Sequence, residues 1–204
     1  MLNKQKFKGV TLYRKRVVDN ILRTYRDDRL NIDTDWYRKA NAFAIGLAEE
    51  YGHDTVTVAG IIASLSPLKS WQENKRIARV FLETGNSLHT RKLEAKAIEI
   101  RDYEGNDRVG HCLEVLNGNK IKAFFLNIAF PEKQGIVTVD RHAISIALGR
   151  NIREAEGIGI TDGQYAFFVS CYRQAAQMEG VRDSLMQSVS WEKHRIIKNK
   201  FTKL

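Results

Sequence analysis

A chain of 204 residues can form one large domain, or one helical domain with an added terminal segment. Hydrophobic residues make up 43% of it, which permits a sizeable core and excludes a disordered chain. The formal net charge of +9 favours a polyanionic partner, most often nucleic acid. Because only two prolines occur, Pro67 and Pro131, long helices suit this sequence better than a many-turned β-sandwich.

The composition predicts neither a metal site nor a membrane segment. Two cysteines, Cys112 and Cys171, are too few for a disulfide framework or a four-cysteine cluster, and both lie in helical patterns typical of buried free thiols. The five histidines show no pairing at metal-ligand spacing, so we expect no metal and no cofactor. No apolar run approaches the length of a membrane span and no signal peptide opens the chain, so we expect a cytoplasmic protein.

The chain follows a helical pattern from end to end. The first predicted helix, "TLYRKRVVDNILRTYRDD", places Leu12, Val17 and Ile21 on roughly one face. "TVTVAGIIASLS" can be a strand because of its β-branched residues, but its small residues and its helical neighbours favour a buried helix. The other predicted helices are "DTDWYRKANAFAIGLAEEYG", "SPLKSWQENKRIARVFLETG", "TRKLEAKAIEIRD", "DRVGHCLEVLNG", "NKIKAFFLNIAF", the run from Asp140 to Gly149, "TDGQYAFFVSCYRQAAQMEG" and "DSLMQSVSWEKHRIIK". We therefore predict an all-α fold with a single domain over residues 1–204.

The block from Leu113 to Gly149 combines a helical hairpin with an aspartate at the head of a helix. One helix ends in "LNGN", the next begins at Lys120, and a loop then delivers "VTVD" to a third helix. Backbone N–H groups at such a turn can hold a phosphate, and the loop would place Asp140 near the nucleic acid that the hairpin holds. A plain helix–turn–helix corner explains the same pattern, and Asp140 is also a good N-cap residue.

This block resembles the helix-hairpin-helix DNA glycosylases of the endonuclease III type. The matching residues are "LNGNK" at the hairpin, "LNIAF" on the following helix and "VTVDRH" at the head of the next one. The resemblance covers roughly residues 55 to 150, and it implies a helical glycosylase core there with the terminal helices packing on it. It puts Asp140 on the family's catalytic aspartate and Lys120 where the lyase members keep a Schiff-base lysine. Upstream, "SPLKSWQENK" is similar to the family's early helix pair, with Asn74 as its asparagine.

The sequence departs from the family's pattern at the hairpin and at one upstream turn. Matching Leu116 to the hairpin leucine leaves the turn two residues short, with Asn117 in place of proline. A match without a gap keeps only the second glycine, as Gly118. Leu68 stands where the family has a glutamine that fills the hole left by a flipped base, and the family's frequent iron–sulfur cluster is absent.

The resemblance implies a hydrolase of the base-excision type that flips a base out of duplex DNA and cleaves its N-glycosidic bond. Asp140 is the predicted catalytic carboxylate, with Lys120 as an optional nucleophile for lyase activity. The predicted DNA-binding residues are Gly118, Asn119, Lys122, Arg141 and Lys69. The predicted pocket residues are Trp71, Asn74, Asn127, His142 and Tyr165, and Trp191 is a further aromatic candidate.

Most of these residues also have an ordinary structural interpretation. Lys120 fits a solvated first-turn lysine, and Arg141 fits either a phosphate contact or a solvated residue. His142 fits a hydrogen bond within the fold, while Asn74 and Asn127 fit buried amides that join helices. The aromatic candidates fit core residues as well as pocket residues.

Two other functions remain open at this point. "SLSPLKSWQEN", "VTVDRHA" and "YRQAAQMEG" together are similar to short proteins common in bacteriophage genomes, which favours a bacterial or phage-infected cell. Some phage proteins with this resemblance attach groups to hydroxymethylated pyrimidines, so a DNA base-modifying transferase is one alternative. A DNA-binding protein without catalysis is the other, and it is favoured by the shortened hairpin. In each case double-stranded DNA is the expected partner and the protein is expected to be a monomer.

Overall fold

The computed structural model describes residues 2–30, 32, 34–152, 156–157 and 159–201, with no side chain described at 198–201. Within these residues the chain forms two short strands and ten helices. The strands are β1 (Lys4–Phe7) and β2 (Val10–Tyr13). The helices are α1 (Arg14–Tyr25), α2 (Trp36–Tyr51), α3 (Thr55–Ser64), α4 (Trp71–Thr84), α5 (Arg91–Arg101), α6 (Arg108–Val115), α7 (Asn119–Ala129), α8 (Arg141–Leu148), α9 (Asp162–Glu179) and α10 (Asp183–Phe201). The predicted all-α class is thereby confirmed. None of the described helices combines the length and the apolar character that crossing a membrane requires.

The chain divides into two compact units. The terminal unit comprises Met1–Trp36 and Glu132–Leu204, and the central unit comprises Tyr37–Pro131. The predicted core over residues 55–150 therefore draws on both units, while the single domain over 1–204 stays a prediction.

The central unit is built around α3. This helix packs against α4, α5, α6 and α7, and residues 57–65 are all buried. A helix that is covered on every side has no polar face to show, which explains why its sequence is apolar without a clear period. The Asp54 side chain caps the helix by accepting a hydrogen bond from the Thr57 N–H at 2.9 Å. The prediction that this segment forms a buried helix, and not a strand, is confirmed.

Gly60 lets the neighbouring helices approach α3 closely. A Cβ atom at this position would lie 2.7 Å from the Cys112 Sγ and 3.1 Å from the Ile100 Cγ2. Cys112 is buried there as a free thiol, as predicted, and its burial raises the pKa of the thiol to about 12. Cys171 in the terminal unit is likewise a buried free thiol, and burial raises its pKa to about 11. Both thiols are packing groups.

The terminal unit packs α1 against α8, α9 and α10, and α10 also contacts α8 and α9. Its core is apolar and continuous, and its members include Phe7, Val17, Ile21, Val139, Ile144, Phe168, Tyr172 and Met186. The Phe7 ring meets Phe168 edge to face, with 5.7 Å between ring centroids. This contact fixes β1 against α9.

The N-terminal strands correct the sequence prediction of a helix beginning at "TLYRK". Thr11 and Leu12 lie in β2, which pairs antiparallel with β1, and α1 begins only at Arg14. The two-residue turn Lys8–Gly9 has positive φ at both positions, 45° and 78°, which is the geometry that closes a tight hairpin. The helical spacing of apolar residues extended through Leu12 by coincidence, and the short "KG" turn gave only a weak hairpin signal.

We expect Gly60→Ala to lower the free energy of unfolding by about 1–3 kcal/mol, because the added methyl group overpacks the contact with Cys112 and Ile100. Gly46→Ala is the matched control, since Gly46 is also helical but a Cβ atom added there would meet nothing within 4 Å. There the substitution should raise stability by about 0.5–1 kcal/mol through helix propensity alone. Urea denaturation measures the free energy of unfolding of both variants. A Gly60→Ala substitution that left this free energy unchanged or raised it would contradict the packing account.

Candidate functional site

Asp140 stands at the head of α8 with both carboxylate oxygens held. Its Oδ1 accepts a hydrogen bond from the Ala143 N–H at 2.8 Å, which is the N-cap bond predicted for it. Its Oδ2 accepts a hydrogen bond from the Trp191 indole Nε1 at 2.8 Å. The residue is half-buried, so the carboxylate is fixed without being sealed inside the protein. Each oxygen keeps acceptor capacity beyond its one donor.

The segment that leads into Asp140 is held by Tyr165. Residues 137–139 are buried, and the Tyr165 hydroxyl donates to the Val137 carbonyl at 2.9 Å while accepting from the Val139 N–H at 3.3 Å. Burial, and to a lesser degree the negative charge of Asp140, raise the pKa of Tyr165 to about 12. The predicted pocket residue therefore uses its hydroxyl to position the backbone before the aspartate.

A chain of polar contacts supports Trp191 from the other side. The His142 ring meets Trp191 edge to face, with centroids 5.5 Å apart, and its Nδ1 lies 3.1 Å from the Nδ1 of His194. The His194 Nε2 lies 2.9 Å from the Asn151 Oδ1. The two imidazole rings and the Asn151 amide thus form a hydrogen-bonded chain behind the Trp191 ring.

The sequence-based prediction for His142, a hydrogen bond within the fold, agrees with this geometry. The roles of Trp191 and His194 were not predicted. The only available signal was their spacing of three residues on one helix, which puts two ring side chains on the same face of α10. Arg141 is the half-buried first residue of α8, directly after the aspartate.

The hairpin of the central unit is formed by α6 and α7. Leu116 is buried beneath the turn, and Gly118 caps α7 with φ 80° and ψ 142°, a conformation that favours glycine. The helix begins at Asn119, one residue before the predicted start at Lys120. Gly118, Asn119 and Lys120 are exposed. The prediction of two helices joined by a tight glycine turn is confirmed.

Three lysines, Lys92, Lys96 and Lys122, gather beside this turn, and we call them the hairpin lysines. The Lys96 ammonium donates to the Val115 carbonyl at 2.9 Å, where α6 ends. Burial lowers the pKa of Lys96, the positive charges of Lys92 and Lys122 lower it further, and the negative charge of Glu99 raises it, so these three neighbours all lie within electrostatic reach of Lys96. Lys122 was predicted as a DNA-binding residue; Lys92 and Lys96 were missed, although their i,i+4 spacing put them on one helix face.

The remaining predicted residues of the central unit have clear packing partners. The Trp71 ring meets Phe43 edge to face at 5.9 Å between centroids. Asn74 is buried and donates from Nδ2 to the Ile62 carbonyl at 3.0 Å, which joins α4 to α3 as predicted. Asn127 is also buried, on α7.

The turn between α3 and α4 presents an unusual side chain. Leu68 is 100% exposed and has φ 61°, in the left-handed region that a leucine rarely adopts. The turn is closed by the Lys69 N–H, which donates to the Ser66 carbonyl at 3.2 Å, and His89 Nε2 lies 3.2 Å from the Pro67 carbonyl. The predicted DNA-binding Lys69 is half-buried beside this leucine.

The predicted site residues thus fall into two sets. Those of the terminal unit are Asp140, Arg141, His142, Tyr165 and the aromatic candidate Trp191, which the structure shows as a hydrogen-bond donor to Asp140. Those of the central unit are Lys120, Gly118, Asn119, Lys122, Lys69, Trp71, Asn74 and Asn127. Across the part of the chain that the structure describes, no group of three or more His, Cys, Asp or Glu side chains is arranged to hold a metal ion.

A double-mutant cycle tests whether Trp191 holds Asp140. We expect Trp191→Phe to reduce the free energy of unfolding in the wild-type background, and to reduce it by about 1–2 kcal/mol less when Asp140 is already alanine. The cycle removes the contribution of ring packing, because that contribution is lost in both backgrounds. A coupling energy near zero would mean that the indole hydrogen bond does not restrain the carboxylate.

The fold and these contacts define a helical protein with a clamped N-capping aspartate and a basic helical hairpin. Residues 3–200 match the model of a family described as a family of unknown function (DUF7178), and the chain belongs to that family. No curated protein matches the chain, and no solved structure does so.

Proposed function

We propose that this protein acts on a flipped base in DNA and cleaves its N-glycosidic bond, with Asp140 as the essential carboxylate. The observation that carries the proposal is the double restraint on Asp140, by the Ala143 N–H and the Trp191 indole, at the head of a helix. A carboxylate that already occupies one geometry loses little entropy when it meets a developing charge. The resemblance of "VTVDRH" to the glycosylase motif names the reaction that such a carboxylate would serve.

Cleavage of the N-glycosidic bond requires one fixed negative charge near the sugar. As the bond between C1′ and the base nitrogen breaks, its electron pair leaves with the base and positive charge develops on the deoxyribose. Asp140 stabilises that charge and accepts a proton from the attacking water, whose oxygen bonds to C1′. The departing base takes up a proton from solvent and Asp140 afterwards returns its proton to solvent, so that the products are a free base and an abasic site.

Because Lys120 is exposed, we propose that water, and not this lysine, is the nucleophile. A lysine that forms a Schiff base is usually activated by desolvation or by a neighbouring cation. Lys120 is exposed in the first turn of α7. The proposal therefore gives the chemistry to Asp140 and makes Lys120 a phosphate contact at the hairpin turn.

The hairpin supplies the positive charge that binding to the DNA backbone requires. The N-terminus of α7 presents its first N–H groups and the positive end of the helix dipole beside Gly118. The hairpin lysines add three positive charges beside the turn, of which the nearby Glu99 carboxylate offsets one. The remaining positive charge favours a polyanion such as the DNA backbone.

Leu68, which also belongs to the central unit, is a side chain suited to base flipping. A fully exposed apolar side chain on a strained turn contributes nothing to the core, and its left-handed φ costs stability. Apolar side chains of this kind are inserted between base steps by proteins that unstack DNA. Leu68 can therefore fill the space that a flipped base leaves, in place of the glutamine that the resemblance would imply.

We expect Asp140→Asn to abolish base release and to leave DNA binding intact, because asparagine keeps the cap but removes the negative charge. Alkali cleavage of duplexes with modified or mismatched bases measures release, and gel shift measures binding. Asp107→Asn is the matched control, since Asp107 also caps a helix, by accepting from the Gly110 N–H at 2.8 Å. Base release by Asp140→Asn at the wild-type rate would refute the assigned role.

Mass spectrometry of the same duplexes separates the alternatives. A base-modifying transferase would change the mass of a base and leave the strand intact after alkali. A binding protein would change neither mass nor strand. Either result with an active protein preparation would replace the glycosylase proposal.

We expect the double variant Lys92→Gln/Lys122→Gln to bind duplex DNA more weakly and with a shallower salt dependence. The slope of log K against log salt concentration should fall by roughly 2, because two phosphate contacts are removed. Lys15→Gln is the control, since Lys15 is exposed and paired with Asp19 at 2.8 Å. Fluorescence anisotropy at several salt concentrations gives both slopes, and an unchanged slope in the double variant would exclude the hairpin lysines from the interface.

A further inference from the structure

The terminal unit contains a recess that Asp140 does not line. Its volume is about 770 Å³, within the range typical of small-molecule sites. Its lining includes the polar side chains of Arg14, Gln134, Ser170, Arg173, Gln174 and Asp183. A recess of this size on a basic protein raises the question of what its polar groups are for.

Arg14 is a buried cation with an unsatisfied donor in this recess. Its side chain is only 8% exposed; Nε donates to the Leu2 carbonyl at 2.7 Å, and Nη2 donates to the Ser170 Oγ at 2.8 Å. The guanidinium also lies over the Phe167 ring, 5.3 Å from its centroid. Its Nη1 is buried and has no hydrogen-bond partner among the described residues. A buried guanidinium donor without an acceptor is costly unless a ligand supplies one.

The carboxylate that lines the recess is engaged elsewhere. Asp183 Oδ2 accepts a hydrogen bond from the Gly135 N–H at 2.6 Å and lies 3.9 Å from the Arg173 Nε. No described carboxylate forms an ion pair with Arg14. The buried positive charge of Arg14 is therefore not neutralised by a carboxylate among the residues that the structure describes.

Gln174 presents the complementary group. Its Oε1 is buried and has no hydrogen-bond partner among the described residues. It lies one helical turn after Ser170 on α9, which places it beside the hydroxyl that Arg14 contacts. Two residues that line the recess, Arg14 and Gln174, therefore carry a buried donor and a buried acceptor that lack partners among the described residues.

We infer that this recess binds a small molecule that carries an oxyanion, a phosphate or a carboxylate, next to an N–H or O–H donor. The oxyanion accepts from Arg14 Nη1, and the donor group reaches Gln174 Oε1. Arg173 lies at the edge of the recess with its side chain 59% exposed, and its charge is offset by Asp183, so Arg14 is the cation that recognises the oxyanion. The inference goes beyond the proposed reaction at Asp140 and stands or falls independently of it.

Calorimetry and thermal unfolding of the full chain test the inference with four probes. The probes are inorganic phosphate, deoxycytidine monophosphate, glycine, and sodium chloride at matched ionic strength. We expect saturable binding of at least one of the first three and none of chloride. At a probe concentration a hundred times Kd, Tm should rise by roughly 5–10 °C. Phosphate and nucleotide responses without a glycine response assign a phosphate ligand, and the converse assigns a carboxylate ligand.

Variants connect the binding to the recess. Arg14→Met should weaken the binding of the active probe by roughly 100-fold, and Gln174→Leu by about 10-fold, because each removes one polar contact of the ligand. Arg16→Met is the matched control, an exposed arginine two residues along the same helix. Gln174→Leu and Arg173→Ala keep the test valid if Arg14→Met does not fold.

Two results would overturn the inference. One is the absence of saturable binding by every probe, which would mean that the recess holds only water. The other is binding that Gln174→Leu and Arg173→Ala leave at wild-type strength, which would place the ligand elsewhere. Neither result bears on base release at Asp140, so the two proposals fail separately.

Discussion

The hydrogen bond between the Trp191 indole and Asp140 is the contact on which the candidate site depends. It joins two residues that are 51 positions apart in the chain, one before α8 and one on α10. The N-cap bond alone would hold one oxygen of the carboxylate and leave the carboxylate free to rotate about that contact. The indole removes that freedom, and the contact of His142 with the Trp191 ring keeps the indole in place. The helices α8 and α10 must therefore be packed together before the carboxylate takes its position.

The central unit depends on a different constraint, the burial of α3. Because its neighbours cover it completely, a single glycine at position 60 decides how closely α5 and α6 can approach it. On α5, Lys96 donates to the carbonyl of Val115, the last residue of α6. A lysine cluster held by a backbone contact is more restrained than the same charges on a free surface.

Local sequence patterns predicted the features that are local in the structure. The helices, the buried α3, the glycine turn at Gly118 and the cap at Asp140 all follow from spacing and residue type within a few positions. The buried amide of Asn74 was predicted for the same reason. Where the prediction was wrong, at β2, an apolar period that fits a helix happened to include strand residues.

The features that the sequence did not predict are contacts between distant residues. The sequence around Trp191 gives no signal that its indole donates to Asp140, because that contact depends on how α10 packs against α8. Arg14 is one of many basic residues in the chain, and only the fold distinguishes it as buried and unsatisfied. Side-chain partners across a fold are set by packing, which periodicity does not encode.

A crystal structure of the protein with a duplex that contains a tetrahydrofuran abasic analogue would test the central claim most directly. The account predicts the Asp140 carboxylate at about 3–4 Å from the C1′ position of the analogue, still held by Ala143 and Trp191. A duplex bound with its sugar far from Asp140, or an Asp140 carboxylate that faces away from the DNA, would contradict it.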